Sequence, residues 1–260
     1  MHKQLSSRAE ELLQRGVRGA NRFLRCDVEA ALSAEGCPPC EAFIDFITRF
    51  GGLEVRRGNC EGFQMVLGPS PEDPPPISFN DILFQDENTP GKWWLDIGIL
   101  PIPLGAFMDE SGAISLEGED EGGAISLEGV VPIADSIETL LESAAIRDGI
   151  DVAGVFKASG GGECKPNSAN LLRDLLRIPF VPEASDSWRS WWLQDDVAVF
   201  HELAWSQSDP PGPREEFLWV YSYNADSVRN VLRDVREVFV KKPRISPLPW
   251  SVGNKPVPAW

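Results

Sequence analysis

Histidine, tyrosine and methionine are scarce in this 260-residue chain, at two, two and three copies. With only His2 and His201, and no second cysteine pair, the four ligands of a zinc site are missing. No apolar run approaches the length of a membrane span. The stretch Met1-His2-Lys3-Gln4-Leu5-Ser6-Ser7-Arg8 has no apolar signal-peptide core, so a cytosolic protein is expected. Five cysteines are an odd number, scattered as Cys26, Cys37, Cys40, Cys60 and Cys164, which does not read as an extracellular disulfide framework. No Gly-x-Ser-x-Gly elbow marks a nucleophile. Gly160-Gly161-Gly162 with Lys165 lacks the spacing of a phosphate-binding loop, and Glu117 to Glu121 lacks that of a calcium loop. No catalytic residues, cofactor or metal are expected.

Basic residues are missing from the middle of the chain. Residues 61–150 carry eighteen Asp and Glu against Lys92 and Arg147 alone, a net of −16, which equals the net charge of the whole chain. The flanking thirds are close to neutral. Such a field repels nucleic acid and anionic membranes and attracts basic surfaces. A basic protein partner is one reading, and a device for solubility is the other.

Helices and strands of both kinds follow from the pattern. Ser7 with Glu10, Asp27, Asp135 and Asp226 are expected to cap helices, and Ser168 to cap another running to Ile178. Phe43, Ile47 and Phe50 place an apolar stripe on a helix that Gly51-Gly52 ends, and Leu53 to Val55 then alternates as a strand. Trp93 to Leu100 reads as a strand, and Asp109-Glu110-Ser111-Gly112 as a turn. Gly112 to Gly118 repeats residue for residue as Gly123 to Gly129. Each copy alternates apolar and polar, so the pair predicts a hairpin with Glu119-Asp120-Glu121-Gly122 as its turn. The expected division is a domain over 1–150, a Gly-rich linker over 151–167, and a small α+β unit over 168–260 with a Pro-rich tail from Pro243.

Three local features invite chemistry. Cys37-Pro38-Pro39-Cys40 at a helix start has the spacing of a thiol redox pair. The favoured reading is that Pro39 opens the helix and both thiols are buried or capping residues. His201, between Phe200 and Glu202, reads as a strand residue with a hydrogen-bonded ring. Seven of nine tryptophans lie after residue 187. Trp205 and Trp219 are expected in the core, whereas Trp188, Trp191 and Trp192 fit a core or a binding face equally.

Four landmarks in order carry a family resemblance. They are Phe43-Ile44-Asp45-Phe46-Ile47-Thr48-Arg49-Phe50-Gly51-Gly52-Leu53, then Leu100-Pro101-Ile102-Pro103, then Asp109-Glu110-Ser111-Gly112-Ala113-Ile114, then Ile133-Ala134-Asp135-Ser136-Ile137. Together, over residues 27–146, they resemble the SUKH superfamily. The resemblance implies an α+β fold, a mostly antiparallel sheet flanked by helices, and a binding protein without a shared catalytic set. Many bacterial members are immunity proteins that neutralise a toxin, often a nuclease. Others regulate cell-wall synthesis or act as scaffolds. The expected contact residues are Asp109, Glu110, Glu117, Glu119, Asp120, Glu121 and Glu128, with Trp93 as an aromatic anchor. The alternatives are a non-catalytic regulatory scaffold of the same fold and a thiol oxidoreductase using Cys37 and Cys40.

Overall fold

A computed structural model of the chain describes residues 4–18, 23–56, 64–68, 79, 82–86, 89–99, 105–119, 125–152, 158–204 and 215–247. The protein is α+β, and every strand pairing among the described residues is antiparallel. It divides into two compact units, Met1–Leu140 and Leu141–Trp260.

The first unit opens with α1 (Ser7–Gln14), β1 (Val17–Arg18), α2 (Arg25–Ala34) and α3 (Glu41–Phe50). The expected stripe on α3 is buried as Phe43, Ile44, Phe46, Ile47 and Phe50. Gly52 then takes φ +70, which a side chain disfavours, and turns the chain into β2 (Leu53–Arg56). Next come β3 (Gln64–Leu67), β4 (Leu83–Gln85), β5 (Trp93–Ile99), β6 (Gly105–Asp109), β7 (Ile114–Glu119) and β8 (Ile125–Ala134). They form one sheet in the order β1-β2-β3-β5-β6-β7-β8, with β4 also on β5. Strands β7 and β8, which carry the duplicated segments, pair as a hairpin with a shifted register: Gly118 stands opposite Ser126, while Ile114 to Leu116 pair with Val131 to Ala134 beyond the second copy. The turn between them and Leu100 to Pro103 lie outside the described residues.

Helix α4 (Ile137–Val152) follows β8. The second unit then adds β9 (Ala158–Cys164), α5 (Ser168–Leu175), β10 (Arg189–Gln194), β11 (Val197–Ala204), β12 (Glu215–Ser222), α6 (Ala225–Asp234) and β13 (Arg244–Pro247). Its sheet runs β10-β11-β12-β9-β13. One face buries Trp192, Val199, Leu218 and Val220 with Leu172 of α5 and Val228 and Leu232 of α6. The other buries Trp191, Ala198 and Phe200 with Ile146 and Ile150 of α4. The two adjacent tryptophans therefore serve opposite faces, as strand alternation requires.

Several expectations are corrected here. Gly160-Gly161-Gly162 is not a linker but the middle of β9, held between β12 and β13. Its lack of side chains is a packing requirement. A Cβ on Gly160 would stand 2.7 Å from Leu232 Cδ1 and 2.9 Å from Val228 Cγ1, and one on Gly161 only 2.1 Å from the Leu218 carbonyl oxygen. Correspondingly, the units meet at Leu140/Leu141 rather than near residue 150. Arg244–Pro247, expected as the start of an extended tail, is a strand. Trp219 is 36% exposed rather than in the core, although it stands opposite buried Phe200 on the sheet face that packs against α4. Trp205 lies outside the described residues.

Helix caps also shift by a residue or two. Ser6, not Ser7, accepts the Ala9 N–H, Asn224 rather than Asp226 accepts that of Ser227, and the Ser136 hydroxyl rather than Asp135 accepts that of Thr139. Asp27 sits inside the first turn of α2, and α5 ends at Leu175, short of Ile178.

Gly161→Ala is expected to lower stability by about 3 kcal/mol, since the new methyl meets backbone that cannot move aside cheaply. Gly162→Ala, whose nearest neighbour would be at 3.6 Å, is expected to cost under about 1 kcal/mol. Urea unfolding midpoints of the two variants check the difference.

Candidate functional site

A concavity of about 350 Å³ opens in the first unit where three segments meet. The start of α3 gives Glu41, Ala42, Asp45 and Phe46, the end of β6 gives Met108, and the β6–β7 turn gives Glu110, Ser111 and Gly112. Ser136, Ile137 and Glu138 come from the start of α4. Phe46, Met108 and Ile137 make its apolar part, and four carboxyl groups surround them. Three of the four sequence landmarks thus converge on one place.

Arg49 ties this place together. Its Nη1 donates to Asp45 Oδ2 at 2.8 Å and to Glu138 Oε1 at 2.6 Å, so one guanidinium links α3 to the first turn of α4. Glu138 is buried and Arg49 is partly so, and each would be costly to leave alone. Glu41 pairs with Arg25, which also holds Glu29 at 2.7 Å. Cys40 Sγ lies 3.6 Å from the Glu110 carbonyl oxygen and joins α3 to the turn.

The structure gathers some expected contact residues and separates others. Trp93, Asp109 and Glu110 are neighbours: Trp94 faces Asp109 across β5–β6, and the Trp93 N–H donates to Glu110 Oε1 at 3.1 Å. Asp109 has a structural task, because its Oδ1 accepts from the Ser111 N–H, the Ser111 hydroxyl and the Ala113 N–H and so shapes the turn. Glu110 is exposed at the rim. Glu117 and Glu119 stand on β7 and Glu128 on β8, along the hairpin and away from the turn that joins β6 to β7. Asp120 and Glu121 lie outside the described residues.

Both thiols of the Cys37–Cys40 motif are buried and free. Burial, reinforced by Cys40 and Glu110, pushes the Cys37 thiol up to about 12, and burial likewise raises Cys40. An attacking thiolate needs the opposite shift. Among the described residues no group of His, Cys, Asp and Glu is arranged to hold a metal ion.

A second polar centre, foreshadowed in sequence only by His201, lies inside the second unit. His201 on β11 meets Glu216 of β12 and Ser168 at the start of α5. Glu216 Oε2 accepts from the Ser168 N–H at 2.9 Å and the Ser168 hydroxyl at 2.6 Å, while Oε1 accepts from the Asn167 N–H. The trio has the residue types of a hydrolytic triad but not the wiring. Serine and acid meet the same ring nitrogen, Nε2, whereas a triad uses one nitrogen for each. The Ser168 side chain is also sealed from solvent. Here Glu216 does the work of a helix cap supplied from a neighbouring strand. Sequence spacing gave no hint of it, since Ser168 and Glu216 are 48 residues apart.

Comparison with protein-family models, curated proteins and solved structures finds no match to the chain. Among the described residues no helix is long and apolar enough to cross a membrane.

Removing the Arg49 guanidinium as Arg49→Ala is expected to cost about 2–3 kcal/mol, less than for a fully buried pair because Arg49 keeps some water contact. Arg49→Lys is expected to recover part of that loss, since one ammonium cannot span both carboxyl groups with the same geometry. Chemical denaturation of the full chain measures both.

Proposed function

We propose that the chain is a non-catalytic immunity-type protein of the SUKH kind. It binds a basic toxin domain, with a nuclease as the leading example, and occludes it. The supporting observation is the acidic concavity in the first unit, where segments bearing three family landmarks meet and Glu41, Asp45, Glu110 and Glu138 stand around an apolar floor. The excess of acid over base in residues 61–150 supports the same reading. Complementary charge speeds encounter and rejects partners of the wrong sign. Trp93, beside Glu110, is the aromatic anchor of this surface.

The competing readings have less support. A scaffold built on the C-terminal tryptophans loses Trp191 and Trp192, which are consumed by the core. An oxidoreductase at Cys37 and Cys40 is opposed by the upward shift of both thiols.

The test is capture from the native host by the tagged full chain at low salt, followed by a high-salt wash and mass spectrometry. One dominant basic protein should elute with salt, and co-expression of the chain should relieve that protein's toxicity. Association with the purified partner should slow about tenfold or more between low and high salt. Glu110→Lys should slow it further at low salt. A partner whose affinity ignores both salt and charge reversal sinks this reading.

A further inference from the structure

The buried centre of the second unit serves none of the readings above. Its geometry fixes the proton on His201. Ser168 donates its hydroxyl hydrogen to Glu216 Oε2 at 2.6 Å, so the hydroxyl has none to give the ring. His201 Nε2 therefore carries the hydrogen and shares it between Glu216 at 3.1 Å and Ser168 at 3.3 Å. Neither contact uses the other ring nitrogen, Nδ1. A second proton would have to settle there, in a side chain 2% exposed.

We propose that the His201–Glu216–Ser168 centre is an acid-operated latch on α5. At neutral pH the neutral ring braces the Glu216 carboxyl group, which in turn holds the first two backbone N–H groups at the head of α5. Acidification charges His201, and water reaches that charge most directly if α5 lifts away. The helix has few other anchors: Leu175 is partly buried against the core, and Arg173 lies over the Phe180 ring at 4.8 Å. Of its eight residues only Ser168 and Leu172 are buried, and Leu171 is 48% exposed. Lifting uncovers Leu172, a member of the core cluster that also holds Val199 and Leu218 of the sheet.

The surroundings of the ring favour the neutral form. Burial lowers the His201 pKa from its usual 6.5, against the pull of Glu216 from β12 and of Glu202 on its own strand. From β9 comes Cys164, pushed up to about 12 by burial and so uncharged across this range. From β10 comes buried, uncharged Ser190, paired directly with His201, and from α5 comes Ser168. Because the folded pKa lies below the unfolded one, this stabilising contribution is complete above pH 6.5 and is lost as pH falls below it.

Hydrogen exchange of the full chain at pH 7.5 and 5.5, corrected for the intrinsic pH dependence of exchange, reads the latch. Protection of the α5 amides should fall in the wild type, by at most about tenfold, the limit set by an unfolded histidine near 6.5. Protection of the α3 amides should hold. In His201→Gln the α5 change should shrink below about twofold, because the amide donates at the same place and does not titrate in this range. A wild-type α5 that keeps its protection, or an equal fall in the variant, overturns the latch. Should the variant fail to fold, ring NMR of the wild type decides, since the chain has only two histidines to assign. His201 titrating below 6.5 together with the α5 amides supports the latch. Titration at or above 6.5 with α5 unchanged overturns it.

Discussion

A bare stretch of backbone in β9 is the constraint on which the second unit rests. Gly160 lets α6 press its Leu232 and Val228 against the strand, and Gly161 lets β12 lie close beside it. With that approach allowed, Leu218 and Val220 face inward with Trp192 and Val199, and one continuous core joins the sheet to both helices. The position of Glu216 follows as well. Two residues before Leu218 on the same strand, it points to the same side and reaches the head of α5. A side chain at Gly161 would disturb the core and the polar centre together.

In the first unit the comparable task falls to charge. An excess of acid must coexist with a folded surface, and part of the answer is local compensation. Arg49 holds Asp45 and Glu138 of the concavity, and Arg25 holds Glu41 of its lining together with Glu29. Glu41 and Glu138 also stand in the first turns of α3 and α4, where the helix dipole favours negative charge. The same carboxyl groups that give the surface its sign are thus tied to the framework, so the fold itself holds the acidic surface in shape.

Elements with a strong period were legible in the sequence. Helix α3 announced itself through Phe43, Ile47 and Phe50 with a double glycine behind them, and the duplicated Gly-Ala-Ile-Ser-Leu-Glu-Gly gave the β7–β8 hairpin. The glycine run was misread because a strand without side chains has no pattern of its own; its identity comes from the neighbours that cover it. Trp219 was misread for a related reason, since bulk does not say how far a core extends: it stands opposite buried Phe200 and is still 36% exposed. Of the acidic concavity, the turn with Asp109 and Glu110 was visible, but its meeting with Glu41, Asp45 and Glu138 depends on how α3 and α4 begin. The union of Ser168, His201 and Glu216 depends on the antiparallel register of β11 and β12, which no short window contains.

The sheet order of the second unit also governs how it comes to exist during synthesis. Strand β9 emerges first, yet both of its neighbours, β12 and β13, are made last. Strands β10, β11 and β12 can zip together as they appear, since each joins the next in sequence. Strand β9 must wait beside the growing chain with its Gly-rich backbone unpaired, then be enclosed from both sides near the end. Long-range closures of that kind are slow. The waiting strand offers an exposed edge for misplaced pairing in the interval, and its three glycines, poor formers of sheet by themselves, keep that edge from being an attractive template.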